Sequence, residues 1–141
     1  MILRKNTKHR VQVETEEDLE KLVEVAFQKL KELYGEPIGE GRNRVAFRLN
    51  DDFVIKLPKG SDGFEANYYE SSTWKTQKHW LARCGYNDEI SKSLGIPVLI
   101  MEYISPYEGE WANLPDWAFS VDCCQVGYSK DGSLKAYDWA Y

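Results

Sequence analysis

Lys56 interrupts an aliphatic run, Phe53-Val54-Ile55-Lys56-Leu57. A buried ammonium there needs a counter-charge. Upstream stands Gly39-Glu40-Gly41-Arg42-Asn43-Arg44. Gly39 and Gly41 have no Cβ, so backbone N–H groups beside them can approach phosphate oxygens. Downstream come two acids, Glu65 and Glu70, five residues apart and therefore on different faces of a helix. Glu70 follows Asn67 by three and is the better candidate partner for Lys56; Glu65 remains the alternative. Near the end, Asp138 lies in Tyr137-Asp138-Trp139-Ala140. A carboxylate suits Mg²⁺, a hard cation that also takes phosphate oxygens. Gln125, thirteen residues earlier, can add an amide oxygen. Each feature has a plainer alternative: a simple glycine turn, an exposed strand lysine, a solvated helical acid, a surface aspartate.

The elements that must position these groups follow from pattern. Residues 9 to 14 alternate and predict a short strand. Thr15 is an N-cap candidate, and Glu16, Glu17 and Asp18 suit the positive end of a helix. Leu19, Leu22, Val23, Ala26, Phe27, Leu30 and Leu33 continue that helix to residue 34, where Gly35 and Pro37 stop it. Three antiparallel strands are predicted at about 36 to 40, 44 to 50 and 53 to 58, with Asn50-Asp51-Asp52 as a turn. A second helix is predicted over about 63 to 81, then a strand and helical turn within 82 to 95. Residues 96 to 104 are the most apolar segment and predict a central strand. Residues 105 to 120 read as loop with a helical turn at 115 to 119. The end reads as a hairpin around Ser129-Lys130-Asp131-Gly132.

In this order the motifs resemble the protein-kinase-like superfamily: glycine-rich loop, strand lysine, helix glutamate, hinge and metal-binding Asp. The resemblance covers roughly residues 35 to 141 and implies the following roles. Gly39, Gly41, Arg44, Lys56 and Glu70 would bind and position ATP, with Arg44 in place of the third glycine. Backbone groups of Glu102 and Tyr103, in Met101-Glu102-Tyr103, would meet the adenine edge. Gln125 and Asp138 would hold Mg²⁺, Trp139 and Ala140 standing for the Phe and Gly that follow the Asp. Asp122 is the candidate catalytic base, but it lies three residues before Gln125, whereas kinases space these groups by five; Ser120 occupies that place. The implied activity is therefore weak or absent phosphoryl transfer. The sequence reaches Tyr141 soon after Asp138, so the resemblance implies a kinase-like protein without the large helical lobe. Compact sequences with a Tyr-Asp-aromatic ending also resemble proteins of bacterial viruses.

The expected fold is α+β: a five-stranded, mostly antiparallel sheet like a kinase small lobe with one packed helix. Residues 1 to 34 form an N-terminal extension, 35 to 104 the sheet and helix, and 105 to 141 a loop and hairpin, all within one domain. A chain of 141 residues, 43% hydrophobic, can bury one adequate core. A net charge of −5 argues against a general nucleic-acid surface. No apolar run is long enough to span a membrane, and no signal-peptide pattern opens the chain; the expected location is the cytoplasm, that of the host for a viral protein. Cys84, Cys123 and Cys124 show no zinc spacing and read as buried reduced thiols. Three function classes follow: a minimal nucleotide-binding protein, a pseudokinase-type modulator of a host protein, and an unrelated small α+β domain. The modulator would present an aromatic surface, with Tyr103, Tyr107, Trp111, Trp117 and Trp139 as candidates.

Overall fold

The computed structural model describes residues 15–121 and 124–139. The strand expected at 9 to 14, and Asp122, Cys123 and Ala140, lie outside the described residues. Helix α1 (Glu16–Tyr34) begins where expected, with the Thr15 hydroxyl accepting from Asp18 N–H at 3.0 Å. It ends at Gly35, whose φ of 84° is readily adopted only by glycine.

The main sheet has five strands in the order β1-β2-β3-β5-β4, every neighbouring pair antiparallel. They are β1 (Gly39–Glu40), β2 (Arg44–Arg48), β3 (Phe53–Pro58), β4 (Cys84–Tyr86) and β5 (Leu99–Glu102). β3 holds the centre, and β5 lies between β3 and β4. Helix α2 (Ser61–Thr76) follows β3, and the short α3 (Asp88–Leu94) follows β4. A second sheet, β6 (Ser105–Pro106), β7 (Val126–Tyr128) and β8 (Leu134–Ala136), is antiparallel and carries the expected hairpin. Two 3₁₀ turns, Trp111–Asn113 and Asp116–Ser120, lie in the intervening loop.

β3 is buried on both faces. Leu19, Ala26 and Leu30 of α1 pack with Val45, Phe47, Ile55 and Leu57, extended by Leu94, Ile96 and Val98. The opposite face joins Val54, Leu99 and Met101 to Ala82, Cys84 and Trp74. The period of two thus turns Ile55 and Leu57 toward α1 and Lys56 toward α2.

Several elements are shorter than the pattern predicts. β1 loses Glu36 to Ile38, where Pro37 has no N–H to donate to a ladder. α2 stops at Thr76 instead of 81 because residues 80 to 82 pair elsewhere. Ala136 N–H donates to Trp80 O, and Ala82 N–H donates to Ala136 O. β5 begins at Leu99, past Pro97, and β6 appears where a loop was expected. Among the described residues, no helix is long and apolar enough to cross a membrane. Cys84 is buried as expected, but Cys124 is only half-buried.

Candidate functional site

Lys56 projects from β3 and is 7% exposed. Its Nζ donates to Glu70 Oε1 at 2.9 Å and to the Tyr137 carbonyl at 2.6 Å. Glu70, on α2, is fully buried. It accepts two hydrogen bonds from Arg44, through Nη1 to Oε1 and through Nη2 to Oε2 at 3.0 Å. The Trp139 N–H adds a bond to Oε2, also at 3.0 Å. Arg44 Nη2 further donates to Asp138 Oδ1 at 2.9 Å. Two cations and two carboxylates therefore meet in one cluster. Asn67 braces it: its Oδ1 accepts from Arg44 at 3.1 Å, and its amide donates to the Lys56 carbonyl at 3.1 Å.

The electrostatics follow from this sharing. Burial pushes the Glu70 carboxyl up, but the Lys56 and Arg44 cations together outweigh it and hold its pKa at about 2. Burial pushes the Lys56 ammonium down; Glu70 offsets this only in part, because Arg44 also repels it. Burial works against Arg44 too, yet its bonds and attraction to Glu70 leave it raised. Burial, then the Glu70 charge, lifts the neighbouring Cys84 thiol to about 12, so it stays protonated. The shared carboxylate is the electrostatic anchor of the cluster.

The cluster floors a cleft of about 930 Å³. Gly39, Gly41, Arg44 and Lys56 line it from the main sheet, Glu102 and Tyr103 from the end of β5 and the residue after it, and Gln125 and Asp138 from the second sheet's side. The predicted residues thus converge, with Glu70 directly behind the surface. Lys56 meets Glu70; Glu65, on the same helix, is exposed. Asp122 lies outside the described residues.

Three details differ from expectation. Gly41 N–H closes its own turn on Arg44 O at 2.9 Å, so it is already spent within the loop. The Glu102 and Tyr103 N–H groups are taken by Arg83 O and Asp52 O, at 2.8 and 2.7 Å. A ligand edge there must be met by groups other than these two donors. Arg44, expected to face a phosphate, is instead turned onto Glu70 and Asp138.

Lys59 braces the glycine turn. Lys59 Nζ binds Glu40 Oε2 at 2.8 Å and Gly41 O at 3.1 Å, and Lys59 N–H donates to Asn43 O. A Cβ on Gly39 or Gly41 would meet no atom within 4 Å, and neither has positive φ. The fold itself does not demand glycine at either position.

The sequence placed Asn67 beside Glu70 without giving it a role, and it gave no sign of the Tyr137 carbonyl or the Trp139 N–H. The Asn67 role was findable, because a spacing of three puts it on the Glu70 face of α2. For Mg²⁺, the donors at hand are the Asp138 carboxylate and the Gln125 amide. Among the described residues, no group of three or more His, Cys, Asp or Glu side chains is placed to hold a metal ion. Two oxygen donors fit Mg²⁺ only together with ligand phosphates, which is how this ion is commonly held.

Comparison with protein-family models, curated proteins and solved structures found no match. The fold and site define an α+β protein whose cleft is floored by a partly buried cluster of ion pairs.

Proposed function

We propose that this chain is a minimal kinase-like nucleotide-binding protein that takes ATP with Mg²⁺ and transfers phosphoryl groups weakly or not at all. The observation carrying this reading is the Lys56–Glu70 pair, 2.9 Å apart and buried, opening onto a 930 Å³ cleft. A lysine fixed by a fully buried carboxylate is a preorganised partner for phosphate oxygens. Glycines at 39 and 41, which the ligand-free fold does not require, leave room for a close approach. Asp138 and Gln125 would hold Mg²⁺, which would neutralise phosphate charge. Weak transfer follows from Asp122, whose spacing to Gln125 does not suit a base orienting an acceptor hydroxyl.

Thermal shift with ATP, with and without MgCl₂, tests this. Saturation at about 100 times Kd adds roughly 2.7 kcal/mol, a rise of several degrees for a chain this size. No shift at millimolar Mg·ATP would sink it.

A second reading, a modulator that binds a host protein, draws on exposed aromatics within the two 3₁₀ turns. Trp111 is 61% and Phe119 52% exposed. Of the five aromatics named from sequence, only Trp111 is exposed; Tyr103, Tyr107, Trp117 and Trp139 are partly buried. A partner that co-purifies with the wild type but not with Trp111→Ala would favour this reading.

A further inference from the structure

The Arg44 side chain bonds Asn67, Glu70 and Asp138, and the two carboxylates are the partners that have or can take other cations or donors. Its guanidinium is 10% exposed and bridges Glu70 to Asp138, whose side chain is 36% exposed. Glu70 has other donors at both oxygens: Lys56 on Oε1 and the Trp139 N–H on Oε2. It stays hydrogen-bonded if Arg44 leaves. Asp138 is open enough to exchange Arg44 for another cation.

Among the described residues, the ion pairs of the cluster set Arg44 and Lys56 against Glu70 and Asp138. A divalent cation arriving alone must displace Arg44 and then sit near two positive groups. A polyphosphate arriving alone meets two cations already committed to carboxylates. Arriving together, each supplies what the other disturbs. The phosphate receives Arg44, and the cation receives Asp138. Arg44 is the first residue of β2, directly after the turn that carries Gly41, and it lines the same cleft as Gly39 and Gly41.

We infer that Arg44 makes the cleft select a divalent-cation–polyphosphate pair over either component alone. This rests on the nucleotide reading and adds that the cleft favours the cation and the phosphate together. Arg44 is a specificity residue here, set between two alternative anionic partners. Linkage makes the coupling reciprocal: whatever factor Mg²⁺ adds to polyphosphate affinity, polyphosphate adds to Mg²⁺ affinity.

Calorimetry and thermal shift with MgCl₂, sodium tripolyphosphate and ATP test it. For the wild type, millimolar MgCl₂ alone gives no shift, while Mg²⁺ raises tripolyphosphate affinity by about tenfold or more. Arg44→Gln removes the guanidinium bond to Asp138, so MgCl₂ alone now gives a response and the Mg²⁺ dependence of tripolyphosphate binding shrinks. Adding Asp138→Asn to Arg44→Gln abolishes the MgCl₂ response. Arg44→Lys, which keeps the charge without the two-pronged fork, falls between and serves if Arg44→Gln does not fold. Tripolyphosphate binding to the wild type with equal affinity with and without Mg²⁺ overturns this inference and leaves the nucleotide reading standing. So does an MgCl₂ response equal in the wild type and Arg44→Gln. Failure of both ATP and tripolyphosphate to bind under every condition overturns the nucleotide reading, and this inference with it.

Discussion

Replacing Glu70 with Gln keeps the shape of the side chain and removes the one charge that two buried cations share. Lys56 and Arg44 would then face each other with only partial compensation, since Asp138 bonds Arg44 directly but reaches Lys56 only through its charge. Removing one partner of a buried ion pair typically costs about 3–5 kcal/mol. The Glu70 titration gives a second route to the same size. Its pKa of about 2 lies below the ordinary 4.5, and each unit is worth about 1.4 kcal/mol, so the native cluster favours the carboxylate by about 3 kcal/mol. The sign follows from the depression: this stability is fully present above pH 4.5 and is lost as pH falls toward 2. Urea unfolding at pH 7 should therefore show Glu70→Gln less stable by about 3–5 kcal/mol, a loss on the order of 10 °C in Tm. Between pH 5 and 3 the wild type should lose stability and the variant should lose less, so the two curves approach each other. A Glu70→Gln protein within about 1 kcal/mol of the wild type at pH 7, or with parallel acid limbs, would refute the reasoning.

Lys56→Met leaves Glu70 with Arg44 and the Trp139 N–H, so its stability loss should be smaller than that of Glu70→Gln, by the same urea measurement. It should nevertheless abolish the stabilisation by Mg·ATP. Gly63→Ala should destabilise by about 1–3 kcal/mol or more, because a Cβ there would lie 2.3 Å from Asn43 O and 2.9 Å from Pro58 Cα; unchanged Tm would show that α2 can shift away from the glycine turn. Thr15→Ala removes the N-cap bond to Asp18 and should cost about 1 kcal/mol, with the helical circular dichroism retained at low temperature.

The sequence revealed most where one local signal sufficed. α1 was legible because its cap, acidic first turn, apolar spacing and Gly35 stop agree. Lys56 and Glu70 were legible because a charge inside a buried run must find a partner. The end of α2 was not, since residues 80 to 82 are drawn into pairing with Ala136, more than fifty residues away. β6 was missed for the same reason: Ser105–Pro106 is a strand only because β7 pairs with it. Arg44 reads from sequence as a replacement for a loop glycine. Its bond to Asp138 crosses 94 residues, and no spacing rule reaches that far.

That separation has a kinetic consequence. Loop-closure entropy grows with the length of chain enclosed, and the floor of the cleft closes two of the longest loops in the fold, Arg44 to Asp138 and Lys56 to Tyr137, 94 and 81 residues apart. The hairpin strands β7 and β8 can form locally, but the cleft has its floor only after the segment following them docks on β3 and α2. Local release of that segment would dismantle the cluster while the five-stranded sheet persists. A ligand that reads the four charges together therefore recognises only chains that have finished folding, and occupancy of the cleft becomes a measure of structural completion.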